Sequence, residues 1–244
     1  MIIGVLGQQG AGKDTVSDYL VNNYDFEKVA LATPVKEIVK DLFGFTHKQV
    51  SGSQKDKNKE DPRFSRKNPT HVEEWNKVLY NVKHQGIFVC QSILDRLSKK
   101  VSHEDLYSSL VKWADDFYKE SRKGGEGVSP RRALQSFGTD WGRKAYRDMW
   151  VDLLWSSYES SLESQDIVIS DLRFLNELES IRTKGGHLIK VSRKSKESWL
   201  GVLNHISEQE QTHIPESMFN FVICNDGSYN ELYNKVDDYM RLWK

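Results

Sequence analysis

Five short apolar runs are set into a chain whose other hydrophobic positions recur at helical spacing. Met1–Leu6 (MIIGVL) is almost continuously apolar and ends in glycine; a run without alternation suits a strand buried on both faces. Phe26–Leu31, Asp166–Ser170, Leu188–Ser192 and Phe221–Cys224 read as strands too, the last closed by the turn-forming Asn225-Asp-Gly227. Between them, Val16, Tyr19 and Leu20 share one side of a helix predicted over Lys13–Asn23. Val35, Ile38, Val39 and Leu42 carry a second from Pro34, a first-turn proline, to Gly44. Helical spacing returns over Val72–Lys83 and over Asp105–Glu120, where Leu106, Leu110, Trp113, Ala114 and Phe117 share a face. Lys123–Gly127 breaks that helix. Ser129-Pro130 reads as a cap and first-turn proline for helices over Pro130–Gly138 and Ala145–Leu162. A last helix lines up Leu232, Val236, Tyr239, Met240 and Trp243. Ser51–Thr70, with Phe64 its one large apolar residue, reads as a mobile, solvated insertion.

Strands alternating with helices predict an α/β fold of three layers, with a mainly parallel five-stranded sheet and a helical insertion or cap. The expectation is one domain over residues 1–244, with a variable helical insertion at about 45–128 and a lid-like segment at about 193–216. Composition narrows the setting. With 35 Lys plus Arg against 35 Asp plus Glu, the chain is formally neutral, which argues against general nucleic-acid binding through phosphate neutralisation. No apolar run approaches the roughly 18 residues of a membrane span. The structured pattern starts at Met1, so no signal peptide is expected, and Cys90 and Cys224, outside any CxxC, suit a reducing cytoplasm.

The strongest chemical signal is Gly7-Gln-Gln-Gly-Ala-Gly-Lys-Asp-Thr15, placed between the first strand and the first helix as a P-loop requires. Its glycines let backbone N–H groups converge on a polyphosphate, and the helix N-terminus adds its positive dipole end. Lys13 supplies a point charge for the outer phosphates. Asp14 stands where Ser or Thr usually offers magnesium a hydroxyl; Thr15 is one substitute, Asp14 acting through water the other.

Three further clusters narrow the reaction. In Ser129–Arg143, Arg132, Gln135 and Thr139 fall on one helical face, Arg131 borders it, and Gly138-Thr139-Asp140 reads as a turn. A guanidinium grips phosphate in bidentate fashion and Gln reads a base edge. Phe137 and Trp141 are candidates for a stacking surface, and for filling the space of a 2′-hydroxyl. Asp171 and Arg173 follow the third strand, where ligands gather in open α/β sheets. Asp171 there positions a magnesium-bound water or a sugar hydroxyl and Arg173 neutralises phosphate; alternatively Asp171 caps the next helix and Arg173 pairs with Glu177. Lys36, after the second strand, suits an acceptor phosphate. The Lys55–Lys67 stretch also carries Asp56, Glu60 and Asp61, and reads as a mobile loop from which Arg63 or Arg66 reaches a phosphate.

GQQGAGKDT, TPVK, RRALQSFGTDWGR, SDLRFLNE and ICNDGSYNEL occur in the order found in deoxynucleoside monophosphate kinases of large tailed bacteriophages, which this chain resembles along nearly its whole length, apart from Gly44–Gly127. Dephospho-CoA kinase and phosphomevalonate kinase share the sheet and cradle but match the RRALQSFGTD segment poorly. The resemblance implies transfer of the ATP γ-phosphoryl group to a deoxynucleoside 5′-monophosphate (dNMP), with Mg²⁺. It implies donor and metal contacts at Gly10, Ala11, Gly12, Lys13, Asp14 and Thr15, and an adenine-side loop at Asn225–Ser228 that includes Gly227. It implies acceptor contacts at Lys36, Arg131, Arg132, Gln135, Gly138, Thr139, Trp141, Asp171, Arg173 and Glu177. Lys13, Arg132, Asp171 and Arg173 would carry the chemistry, and Arg193, Lys194 and Lys196 would form a basic lid. His205 and Glu208 resemble a family stretch without a role assigned to them. The partners implied are the two nucleotides and, from related enzymes, a second copy of the chain. The rivals are a P-loop kinase for another phosphorylated small molecule and a nucleotide-switch or ATPase module that transfers nothing.

Overall fold

Every residue of the first strand, β1 (Ile2–Leu6), is buried, the condition under which a continuous apolar run makes a good strand. Next in the computed structural model come α1 (Lys13–Tyr24), β2 (Glu27–Val29) and α2 (Thr33–Phe43). Short helices α3 (His47–Ser51) and α4 (Gln54–Asn58) and a 3₁₀ turn at Pro62–Phe64 lead to the long α5 (His71–Leu94) and α6 (His103–Lys123). Then follow α7 (Pro130–Gln135), a π-helical segment at Ser136–Arg143, α8 (Met149–Tyr158) and β3 (Ile167–Leu172). The chain closes with α9 (Leu175–Thr183), β4 (His187–Ser192), β5 (Phe221–Cys224) and α10 (Tyr229–Trp243). The structure describes residues 1–99, 101–123, 127–159, 164–193, 210–211 and 213–243. The chain divides into a sheet unit, 1–31 with 157–244, and a helical unit, 32–156, wider than the expected insertion at 45–128.

In the sheet unit the strand order is β2-β3-β1-β4-β5, parallel throughout. Ile3, Val5, Val168, Ile189, Val191 and Ile223 pack with Val16 and Leu20 of α1 and Leu232, Val236, Tyr239 and Met240 of α10. Ile181 of α9 comes against β1 at Gly4. Trp243, expected on the buried stripe, is half exposed. β3 runs two residues past its predicted end because Asp171 is satisfied within the strand, its carboxylate accepting the Leu31 N–H at 3.0 Å.

The helical unit is built on aromatic rings. Phe43 meets Phe45, Phe64, Trp75, Trp113 and Phe117 with centroids 5.2–6.4 Å apart, edge-on in four of the five pairs, the arrangement ring quadrupoles favour. Phe64 thereby pins the stretch expected to be mobile; α4 and the 3₁₀ turn lie in it, and Asp61 is only 4% exposed. α5 is one helix twice as long as the spacing predicts, running on to Leu94. Val82, Gly86, Cys90 and Ile93 continue its buried stripe, with Gly86 facing Leu110 of α6, while the exposed Ile87 and Phe88 blur the pattern. The helix expected over Ala145–Leu162 is confined to Met149–Tyr158, with 160–163 outside the described residues.

The expected turn at Gly138–Asp140 is instead part of the π-helical segment that continues α7. The Trp150 indole N–H donates to the Gly138 carbonyl at 2.8 Å, and a Cβ on Gly142 would lie 2.2 Å from the same ring. The tryptophan thus occupies the room that an ordinary α-helical side chain would need. Beyond Ser136, i,i+3 and i,i+4 spacing no longer decides which side chains share a face.

Asp61 anchors the short-helix region. Its carboxylate accepts from Gln49 Nε2 at 2.7 Å, from the Arg63 backbone N–H at 3.0 Å and from Arg63 Nη2 at 2.9 Å. Burial pushes its pKa up, but the Arg63 and Gln49 hydrogen bonds outweigh burial and hold it below the ordinary value. A depressed carboxyl stabilises the fold fully above its unfolded pKa, about 4, and that contribution is lost as pH falls through the folded value. Asp61→Ala is expected to cost about 2 kcal/mol, because it removes the charge-assisted bonds from Gln49 and Arg63 while the guanidinium keeps the Gly44 carbonyl. Asp61→Asn should flatten the acid limb of stability against pH. Urea unfolding at pH 7 and below pH 4 checks both, and an unchanged acid limb would remove Asp61 as its source.

Candidate active site

Leu6, the last residue of β1, pairs with Leu172 of β3 and Lys190 of β4. Gly7 and Arg173 therefore leave neighbouring strands at one level, on the carboxyl edge where α/β sheets take their ligands. The glycine loop turns there with Gly10 at φ 80° and Gly12 at φ 105°. Ala11 N–H donates to Gln8 O at 3.1 Å, Lys13 Nζ reaches the same carbonyl at 3.1 Å, and Gly12 O accepts from Val16 N–H at 3.0 Å. Gly12 is required twice over: its φ suits no L side chain, and a Cβ would lie 2.4 Å from Asn225 Nδ2.

The cation beside this loop is one that sequence reasoning missed. Lys28 on β2 bridges Asp14 at 3.2 Å and Asp18 at 2.8 Å. Burial opposes its charge, but the two carboxylates prevail and hold its pKa above the usual lysine value. Lys28 lies in a run read only as a strand, so no motif marks it. Thr15 is half-buried in the same first turn of α1.

After β5, the Asn225 N–H donates to Ser192 O at 2.7 Å and its side-chain amide to Ala11 O at 2.8 Å. The amide expected at an adenine-side loop is thus bonded to the glycine loop. Ser228 closes the turn, accepting the Glu231 N–H at 3.3 Å at the start of α10.

Two expectations at β3 need correction. Glu177 is buried, and its carboxylate accepts the backbone N–H groups of Arg173 at 2.7 Å and Phe174 at 3.1 Å. It closes the N-terminus of α9, so contact with a substrate sugar is not the role its geometry serves. Asp171 does not cap that helix; it receives the Leu31 N–H from inside β3.

In the helical unit, Ser129 caps α7 through the Arg132 N–H at 3.2 Å, as its Ser-Pro signature predicts. Arg131 donates to the side-chain oxygen of Gln54, a partner hidden in the stretch read as solvent-exposed loop. The Arg132 guanidinium lies over the Phe117 ring, 5.5 Å from its centroid. Gln135, Gly138 and Thr139 are partly exposed. A Cβ on Gly138 would lie 3.7 Å from Val35 Cγ1, which puts Lys36, the next residue along α2, at the same corner of the unit. Phe137 and Trp141 are core residues, 0% and 1% exposed, and the Trp141 indole N–H donates to Ser109 Oγ at 2.9 Å. Neither is a stacking surface, and neither lines a space for a 2′-hydroxyl. Arg63 is held by Asp61 and by the Gly44 carbonyl at 3.1 Å, not extended from a loop toward a phosphate; Arg66 is exposed. Arg193 is exposed, whereas Lys194, Lys196, His205 and Glu208 of the expected lid lie outside the described residues.

A parallel sheet whose central strand passes through a glycine loop into a helix, with a lysine on that loop and an arginine leaving the next strand, defines a P-loop nucleotide-binding protein. The family is narrower: a family model described as deoxynucleotide monophosphate kinase matches residues 1–236, and the chain belongs to that family of kinases. The deoxynucleotide monophosphate kinase of Escherichia phage RB69 is 28% identical over 249 aligned positions, covering 98% of this chain and 99% of its own. That of Enterobacteria phage T4 is 25% identical over 266 positions, covering 99% of each. Among solved structures, a dephospho-CoA kinase from Campylobacter jejuni aligns over 98% of this chain and 95% of its own, at 14% identity and a TM-score of 0.42.

Proposed function

We propose that this chain moves the γ-phosphoryl group of ATP to a deoxynucleoside 5′-monophosphate, giving the diphosphate and ADP. The observation that carries the reading is the Leu6–Leu172 register, which sets the glycine loop and Lys13 beside the start of Arg173. Family membership supplies the substrate class. Phosphoryl transfer asks for positioning and charge neutralisation more than covalent chemistry. The acceptor is already a phosphate dianion, so no strong general base is needed. Backbone N–H groups of Gly10 and Gly12–Thr15 and the Lys13 ammonium receive the donor phosphates, and Arg173 neutralises the group in transfer. Lys36, Arg131 and Arg132 hold the acceptor phosphate, with Gln135 and Thr139 toward its nucleoside. Asp171 and Glu177 act as supports of β3 and α9.

Magnesium accompanies ATP in such transfers and neutralises charge developing on its phosphates. The first turn of α1 fits it: Asp14 and Thr15 offer oxygen donors, Asp14 is 79% exposed, and magnesium commonly takes one or two carboxylates beside substrate phosphates. Lys28 competes for the Asp14 carboxylate, and Asp18 offers Lys28 another partner. Lys28→Met is therefore expected to tighten Mn²⁺ binding in the presence of ADP about threefold to tenfold, about 1 kcal/mol for one exposed ion pair. Paramagnetic resonance titration of bound Mn²⁺ reads this directly; weaker or equal binding would remove Asp14 as a metal ligand.

Among the described residues, no helix is long and apolar enough to cross a membrane. A homodimer in the cytoplasm, working on free nucleotides without holding nucleic acid, completes the proposal. The deciding experiment measures ADP formation against a panel of deoxy- and ribonucleoside monophosphates and dephospho-CoA. Stimulation by deoxynucleotides supports the reading. Stimulation by dephospho-CoA alone, or slow hydrolysis that no acceptor accelerates, would replace it with one of the rivals.

A further inference from the structure

The peptide joining Ala11 to Gly12 leads into the φ 105° turn at Gly12, and a trans peptide carries its C=O and N–H on opposite sides. The Asn225 side-chain amide donates to the Ala11 C=O at 2.8 Å, which draws that carbonyl toward the end of β5. The Gly12 N–H, on the other side of the same peptide plane, is thereby turned away from Asn225. Asn225 itself is held firmly: its own N–H donates to Ser192 O at 2.7 Å, and Lys235 Nζ donates to the preceding carbonyl, of Cys224, at 2.7 Å. The amide also fills the place a Gly12 Cβ would take, at 2.4 Å, so bond and packing act on the same peptide.

We propose that Asn225 is a positioning residue for ATP: it fixes the Ala11–Gly12 peptide so that the Gly12 N–H is presented to the donor phosphates. The inference rests on the reading that this loop holds ATP. It replaces the expected adenine contact of the Asn225 side chain with a role in phosphate binding. Without that bond the peptide plane is free to rotate, and ATP has to bear the cost of ordering it.

Asn225→Leu keeps bulk but removes the donor; Asn225→Asp keeps shape but sets an acceptor against the carbonyl. Calorimetric titration with ATP alone should show affinity about tenfold weaker for the leucine variant, the worth of one hydrogen bond to an ordered loop, and weaker still for the aspartate. The KM for the deoxynucleotide should stay within twofold, a split that general loosening of the fold would not produce. In ¹⁵N-labelled protein the ATP-induced shift of the Gly12 amide should shrink in both variants. Should the leucine variant fail to fold, Asn225→Ser, too short to reach Ala11, takes its place with the same expectation. A variant that binds ATP within twofold of a wild type that binds well overturns the role of Asn225 and leaves the nucleotide reading standing. A wild type that binds no ATP overturns both.

Discussion

Lys13→Ala is expected to lower turnover by about 10³-fold or more, the range over which single charge-stabilising groups act in phosphoryl transfer. Lys13 opens α1, and its ammonium reaches back across the glycine loop to Gln8 O at 3.1 Å. A polyphosphate on the loop gains a charge-assisted contact from this ammonium. Steady-state turnover checks the expectation, and thermal unfolding of the variant separates a loss of this contact from a loss of fold. Near-wild-type turnover would mean that the loop does not hold the reacting phosphates.

Arg173→Ala is expected to cost a similar factor. Its backbone is fixed at both ends of a short span: Leu172 is registered on Leu6 of β1, and the Arg173 N–H is held by the buried Glu177 carboxylate at 2.7 Å. The backbone bond survives in the alanine variant, so a loss of turnover reports the guanidinium and not the start of α9. Arg173→Lys separates charge from geometry. A bidentate phosphate contact predicts that lysine recovers only part of the rate, since an ammonium keeps the charge and loses the fork. Full recovery by lysine would reduce Arg173 to a point charge. Unchanged turnover in the alanine variant would remove it from the site.

What was legible in the chain follows from how each feature encodes itself. β1 and β3, buried along nearly their whole length, leave continuous apolar runs; the outer strands β2 (Glu27–Val29) and β5 (Phe221–Cys224) are largely exposed or half-buried, yet each falls within a short run that reads as a strand, with errors at the ends. The β3 error arose because Asp171 looks like a strand terminator, while its hydrogen bond to the Leu31 N–H depends on a partner 140 positions away. The glycine loop was readable because its function demands particular residues at fixed spacing. The π-helical segment was not: nothing local in Ser136–Arg143 shows that Trp150 will fill the space beside Gly142. That one substitution of geometry takes Thr139 out of the α-helical register that Arg132 and Gln135 keep in α7, and Trp141 turns from a candidate contact into core. Ser51–Thr70 misled for a related reason. Its polarity is real, but Phe64 finds Phe43 and Trp75 outside the stretch, and Asp61, bonded to Arg63 within it, also reaches Gln49 of α3. Lys28 and Asn225 carry their roles through tertiary contacts alone.

The central claim is that phosphate passes from a nucleotide on the glycine loop to a deoxynucleoside monophosphate. Incubating the protein with ATP labelled at the γ-phosphate and each dNMP in turn, then separating the products, tests it most directly. The account predicts label in a deoxynucleoside diphosphate, one for each ADP formed, and a rate lower by about 10³-fold or more when Lys13 is alanine. Label recovered solely as inorganic phosphate, at a rate indifferent to every dNMP, would contradict it.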